Sequence, residues 1–403
     1  MKLFRLFLLL SIELALFAYY GCNEAPDQIG KNTQPPSDFG IVRVDTFYAT
    51  AHTSILNPYV YSSSIDRFMI GNAQLDIHGN TLLNKAWGCL KFSGWPDSLR
   101  TVTITNAEIK LRPFYNFGSD TTRALSLDVF RAIRSVQNDS LTFDSLDRNG
   151  NFYFDNFRIN SFTQINPGDT ICSIPLNTSV IRDWFISYPD TNQGVVIQPS
   201  STSPNIIKGF YSFHVSDTAL QPTLYVSYVD TLGRANTYVL KSGNSKYLGY
   251  ADPNAFTNLT DSLFHVQDGV SYRGLLSFDN LSLPWPILVH QAIVQITLDS
   301  TASSMKYVPF TNNRIYTLSV DSKNQPDGSF YTLNEQFTNS KGQPVYQFNV
   351  AGMVSGWIKN TRIKKLAFSG YFESGSFDLF TFYGSGTSSI QRPKIIITYS
   401  MQR

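Results

Sequence analysis

Trp87-Gly-Cys-Leu-Lys-Phe92 is answered, roughly 190 residues later, by Arg273-Gly-Leu-Leu-Ser-Phe278, and around this pair the rest of the chain falls into two parallel halves. Ala107-Glu-Ile-Lys-Leu111 matches Ala292-Ile-Val-Gln-Ile296, and Leu125-Ser-Leu-Asp-Val129 matches Ile315-Tyr-Thr-Leu-Ser-Val320. Ile174-Pro-Leu-Asn-Thr-Ser-Val-Ile-Arg-Asp-Trp184 matches Phe348-Asn-Val-Ala-Gly-Met-Val-Ser-Gly-Trp357, and Gln221-Pro-Thr-Leu-Tyr-Val-Ser-Tyr228 matches Arg392-Pro-Lys-Ile-Ile-Ile-Thr-Tyr399. The landmarks recur in one order at a spacing too long for a solenoid repeat and suited to a duplicated domain.

Most landmarks alternate apolar and polar residues, the period of a half-buried strand. Two sheets per half, facing each other, bury both apolar sets, so the predicted fold is all-β: two tandem jelly-roll-type β-sandwiches. The predicted division is 1–21 signal peptide, 22–40 tether, 41–230 first sandwich and 231–403 second sandwich. Thr178 to Trp184 and Ala351 to Trp357 read as short helical turns placing a Trp in each core. Asn149-Gly150 and Asp327-Gly328 carry hairpin-turn chemistry.

Composition narrows the class. Aromatic residues make up 14% and charged residues 15% of 403 residues, a balance that suits extracellular β-structure. A formal charge of +2 is too small to attract nucleic acid, which is not expected as a partner. Lys2 and Arg5, an apolar run from Leu6 to Tyr20, and Gly21-Cys22 resemble a bacterial lipoprotein signal peptide. That resemblance implies lipidation of Cys22, a mature protein tied to a membrane outside the cytoplasm, and a polar, Pro-containing tether over 23–40. Asn23 is not the Asp that marks inner-membrane retention in some bacteria, which points to the outer membrane or cell surface.

Chemistry-bearing motifs are few. No G-x-S-x-G elbow, H-E-x-x-H helix or phosphate loop is present, the five histidines are scattered, and the glutamates show no pairing across a scissile bond. An enzyme is therefore not expected. Cys89 and Cys172 are either a disulfide, which an oxidising compartment permits, or two buried thiols. Asp147, Asn149 and Asn151 place oxygen side chains at alternate positions and read either as a hairpin turn or as a calcium loop; no other cofactor is implied. Sugars bind flat aromatic faces flanked by polar groups, which singles out Trp95, Trp285, Tyr153 and Tyr331. Trp95-Pro96 and Trp285-Pro286 follow corresponding strands, where the rings either cap a sandwich or meet a ligand.

The order of these landmarks resembles the DNRLRE-type β-sandwich domains of secreted and surface proteins, a family similar to carbohydrate-binding modules, over residues 45–229 and 237–400. Asp27-Gln-Ile-Gly30, Asp45-Thr-Phe47 and Ala51-His-Thr53 resemble the opening of a group of Bacteroidota-type surface lipoproteins. What these resemblances imply is a non-catalytic surface lipoprotein binding an extracellular polymer, a polysaccharide, through duplicated modules. The alternatives are a structural envelope protein docking a protein partner, and a glycan hydrolase or lyase.

Overall fold

In the computed structural model the described residues are 41–401 apart from 57–61, 63, 78–79, 138–140, 144–153, 187–191, 253–255, 257–261, 271, 305–314, 322, 324, 360–362 and 372–373. The strands of the N-terminal half are β1 (Val42–Tyr48), β2 (Ala51–Leu56), β3 (Arg67–Ile77), β4 (Asn80–Phe92), β5 (Thr103–Leu111), β6 (Pro113–Gly118), β7 (Leu125–Ala132), β8 (Phe154–Arg158), β9 (Thr163–Ile165) and β10 (Cys172–Pro175). Helix α1 (Thr178–Ile186), β11 (Val195–Pro199), β12 (Ile206–Tyr211), β13 (Thr223–Val229) and β14 (Ala235–Ala251) complete it. The C-terminal half runs β15 (Leu263–Gln267), β16 (Tyr272–Ser277), β17 (Ile287–Thr297), β18 (Ile315–Val320), β19 (Pro326–Thr338), β20 (Pro344–Asn349), α2 (Ala351–Lys359), β21 (Lys365–Gly370), β22 (Leu379–Tyr383) and β23 (Lys394–Met401).

The protein is all-β, built as two antiparallel sandwiches. In the first, β10-β5-β13-β14 form one sheet; β14 then crosses to the second, where it pairs with β4, which leads on to β11, β7 and β8, and to β3, β12 and β6. The second repeats these pairings: β17 lies between β20 and β23 as β5 lies between β10 and β13, and β16 lies beside β21 as β4 lies beside β11. Alternation drives this burial. Phe68, Leu90, Phe92, Ile109, Val195, Leu224 and Val226 fill the first core, and Phe264, Leu276, Val294, Phe348, Phe368, Ile395 and Ile397 the second. Each such side chain contributes about 1.5–3 kcal/mol through burial. Trp184 and Trp357 lie buried under α1 and α2.

The linear division at residue 230 does not survive. β14, which opens the second sequence repeat, closes the first sandwich: Thr223–Val229 pairs with Ala235–Lys241, and Ser242–Ala251 pairs with β4. β1 and β2, which open the first repeat, close the second sandwich: β1 lies along β23 and β2 along β16. The two halves have exchanged their leading strands. The crossing point is held alike in both, by Ser242 N–H donating to Pro222 O and by Ala49 N–H donating to Pro393 O, each 2.9 Å. In the second sandwich the Arg392 guanidinium also donates twice to Ala49 O, at 3.2 and 2.8 Å. The local cause on the N-terminal side is the tight turn Asp230–Arg234. There Asp230 accepts the N–H groups of Leu232 and Arg234, and Gly233 takes a φ of +75° that suits glycine. That turn folds β14 straight back onto β13.

The choice between the two cysteine readings is settled, and one hairpin expectation changes. Cys89 and Cys172 are free thiols. Cys89 packs with Val136, Phe143, Val196 and Leu248 in a side cluster, whereas Cys172 belongs to the first core, so their sulfurs lie in different layers. Burial pushes both thiols up to about 12. Asp327-Gly328 lies inside β19; the hairpin before it is closed by the hydrogen bond from Asp321 N–H to Gln325 O, with the Asp321 carboxylate accepting Lys323 and Gln325 N–H. Signal, tether and Asn149-Gly150 lie outside the described residues.

The outward faces of the matching sheets each carry lysine at one end. On β14, β13 and β5 the outward rungs are Lys241, Thr223 and Lys110, then Val239, Tyr225 and Glu108. Lys110 pairs with Glu108 at 3.0 Å and sits 4.4 Å over the Tyr225 ring. On β1, β23 and β17 the rungs are Val42, Ser400 and Leu288, then Val44, Thr398 and Gln291, then Thr46, Ile396 and Ile293. None of these nine side chains carries a charge, and the next rung, Tyr48, Lys394 and Gln295, brings in a lysine.

Candidate binding cleft

Exchange of strands presses the two sandwiches together. Phe377, from the second half, packs on Phe117 and Tyr247 of the first at centroid distances of 6.0 and 5.9 Å. The Tyr115 hydroxyl donates to Asp378 at 3.2 Å and accepts the Phe377 N–H at 3.0 Å, while the Tyr247 hydroxyl donates to Gly269 O at 3.3 Å. Burial first, and the Asp378 carboxylate second, hold the Tyr115 hydroxyl well above the usual tyrosine range, so it stays a donor. Asp268, itself buried, accepts from the Ser376 hydroxyl at 2.7 Å. A Cβ on Gly370 would lie 1.5 Å from an Asp268 oxygen, so only glycine fits there.

Above this seam lies a cleft of about 390 Å³ walled by both halves. One wall is the entry to β3. Ile65-Asp66-Arg67 is anchored to the end of β12 through Tyr211, opposite Arg67 in register, and through Ser212, whose N–H donates to Asp66 O. The Arg67 guanidinium is paired with Asp66 at 2.7 Å, reaches Gly375 O at 3.4 Å and lies 5.5 Å over the Phe114 ring. The other wall comes from β16, β18 and β21: Arg273, Tyr316, Ser369 and, just beyond the strand, Tyr371. Tyr316 faces Ser369 in register, and Tyr371, two residues on, brings its ring to 5.0 Å from that of Tyr316 at a 41° tilt. Burial, followed by the Tyr371 hydroxyl, pushes the Tyr316 hydroxyl up to about 12; at neutral pH it both donates and accepts.

A second depression of about 420 Å³ begins on the far side of Phe114. Phe114 and Tyr211 stack at 4.8 Å along its edge, so Arg67, Phe114 and Tyr211 form a shared rim between the two hollows. Its inner end holds Lys208, buried and donating to Asn116 at 2.9 Å, with its ammonium pulled below the ordinary lysine value by desolvation. Two aromatic pairs interleaved with Arg67, Arg273 and Lys208 suit a ligand with apolar ring faces and peripheral oxygens. The cleft needs residues from both repeats, and no local motif announces it. The readable signal is the departure of Tyr371 and Phe114 from core spacing.

The sequence-selected residues are dispersed. Trp95 is 8% exposed, with its ring 6.4 Å from Trp184, because Pro96 opens a 3₁₀ turn, Asp97–Arg100, that tucks the loop under with Leu99 buried. It is a core residue and not a ligand platform. Trp285 is 63% exposed and precedes β17 directly, but does not line the cleft. Tyr331 lies in β19 opposite Thr317, its side chain outside the described residues. Cys22, Tyr153, Asp147, Asn149 and Asn151 also fall outside them. Among the described residues no cluster of three metal-ligating side chains forms, and no helix is long and apolar enough to cross a membrane.

No family model matches the chain, and no curated protein matches it. Among solved structures, it is similar to a chain named BspA_C_WT (8% identity, 84% of this chain and 91% of that one covered, TM-score 0.16). It is also similar to the C-terminal domain of the AgI/II polypeptide BspA of Streptococcus agalactiae (8% identity, 87% and 91% covered, TM-score 0.15). A third similarity is to the T=1 Penaeus vannamei nodavirus (11% identity, 90% and 99% covered, TM-score 0.14). The architecture is given by the strand pairings themselves.

Proposed function

We propose that this chain is a non-catalytic, lipid-anchored surface protein that holds an extracellular polysaccharide in the cleft between its two sandwiches. The observation that carries the reading is the Tyr316–Tyr371 pair standing in a cleft flanked by Arg67, Arg273 and Ser369. Tilted tyrosines offer apolar faces to pyranose rings, while hydroxyls and guanidinium groups meet the ring oxygens. The continuation past Arg67 to Phe114 and Tyr211 suits a chain longer than one sugar. Asp66, the carboxylate on the cleft wall among the described residues, is engaged by Arg67, which supports binding over hydrolysis.

The test is retention of the full chain on a panel of soluble and insoluble polysaccharides, with and without calcium. Tyr371→Ala and Tyr316→Ala should each weaken retention about tenfold, the scale of losing one aromatic anchor. Trp285→Ala should leave it unchanged. Failure to bind any member of the panel, or binding indifferent to both tyrosines, would overturn the reading.

A further inference from the structure

We propose that the outer face of β1, β23 and β17, at the end where Val42 and Leu288 lie, is a docking surface for the lipid–water interface, so that the C-terminal sandwich lies against the membrane and the N-terminal one projects from it. This rests on the reading of residues 1–40 as a lipid anchor. Sequence order alone would put the N-terminal sandwich next to that anchor. Because β1 closes the second sandwich, the chain leaving Val42 toward Cys22 departs from the C-terminal unit.

Two observations converge on this face. Val42, Val44 and Leu288 are 60%, 61% and 52% exposed, and Val42 and Leu288 flank Ser400 on one rung, forming an open aliphatic strip. Trp285 stands three residues before Leu288 at the same end of the sheet, 63% exposed. Tryptophan favours the headgroup region, where its ring is half solvated and half in the apolar boundary. The face carries a charge on its fourth rung, Lys394 between Tyr48 and Gln295, at the end away from Val42 and Leu288. Residues 23–40 reach about 60 Å fully extended and about 23 Å on average, short enough to keep Ile41 and the strip within contact of the surface that holds Cys22. A weak apolar contact supplements an acyl anchor well, since membrane attachment strengthens with a second signal.

The test uses the full chain, acylated at Cys22, in neutral phosphatidylcholine vesicles whose acyl chains carry bromine close to the headgroup. Tryptophan fluorescence should be quenched. Trp285→Phe should abolish that quenching, and Val44→Asp combined with Leu288→Asp should abolish it while the protein stays on the vesicles through its lipid. All three positions are exposed, so the fold is retained. Retention on vesicles with no quenching, or quenching unchanged by Trp285→Phe, overturns the docking and leaves the anchor reading intact. Loss of the wild-type chain from the vesicles, matching Cys22→Ser, overturns the anchor reading and the docking with it. A concentration-dependent dimer that the double aspartate variant converts to monomer, with Trp285 shielded in solution, would assign the face to a second copy instead.

Discussion

The two sandwiches solve one problem in two ways. Each needs a long strand that runs along its terminal strand and then crosses to the opposite sheet. In the N-terminal sandwich that strand is the 17-residue β14, delivered by the turn at Asp230–Arg234. In the C-terminal sandwich it is β1 and β2, broken at Ala49-Thr50 and brought from the other end of the chain: Tyr399 donates to Asp45 across 354 residues, at 2.7 Å. Loop-closure entropy separates the two closures by about 3–4 kcal/mol if the intervening chain is treated as unstructured. The pinning of Ala49 O by Arg392, where the N-terminal sandwich has Gln221, is a compensating contact. Closure of the second sandwich thus carries the larger entropic cost.

The largest effect comes from breaking the distant closure. Deleting 41–56 should abolish cooperative unfolding of the C-terminal sandwich, followed by hydrogen exchange at β16 and β23, and a synthetic 41–56 peptide should restore it. Halves cut at residue 230 should both fail to fold. A circular permutant that joins 401 to 41 through a flexible linker and opens within 57–61 keeps every pairing described here and should fold; its failure would show that connectivity and not pairing is what the exchange supplies.

Next in size is the contrast between the two Trp-Pro loops. Trp95→Ala should cost about 3–5 kcal/mol in urea denaturation, the range for deleting a buried aromatic. Trp285→Ala should stay within about 0.5 kcal/mol. Equal costs would restore the equivalence that the sequence suggests.

Alkaline pH separates the halves more gently. Both raised thiols lie in the N-terminal sandwich, so their contribution is fully present below the ordinary thiol value of 9.0 and is lost as pH rises toward about 12. In the C-terminal sandwich the raised groups are tyrosines, Tyr272, Tyr316, Tyr383 and Tyr399, whose contribution holds until pH passes 10.0. Between these values the N-terminal sandwich should weaken first, as read by segment-resolved proteolysis, and Cys89→Ala should flatten that dependence. The smallest effect is at the surface: Lys110→Ala should cost no more than about 1 kcal/mol, as a partly exposed ion pair does, and the cost should shrink with added salt.

Strand content, the duplication and the two buried helix tryptophans were legible because each is written in local alternation or in the recurrence of one segment in another. Leu90 and Phe92 or Leu276 and Phe278 must face a core whichever sheet receives them. The exchange was not legible, because β1 and β14 are amphipathic strands that satisfy either sandwich, and their choice depends on contacts hundreds of residues away. The cleft was hidden for the same reason: Arg67, Tyr316 and Tyr371 meet only after two halves dock. Trp95 and Trp285 look alike in sequence, yet a single turn that buries Leu99 takes one inward, while the other runs directly into β17 and remains in solvent. Sequence periodicity by itself decided which residues form strands and which side of each is apolar. Tertiary structure alone decided which strand closes which sandwich and which side chains share a cleft, since these are set by the summed burial and pairing of the whole chain.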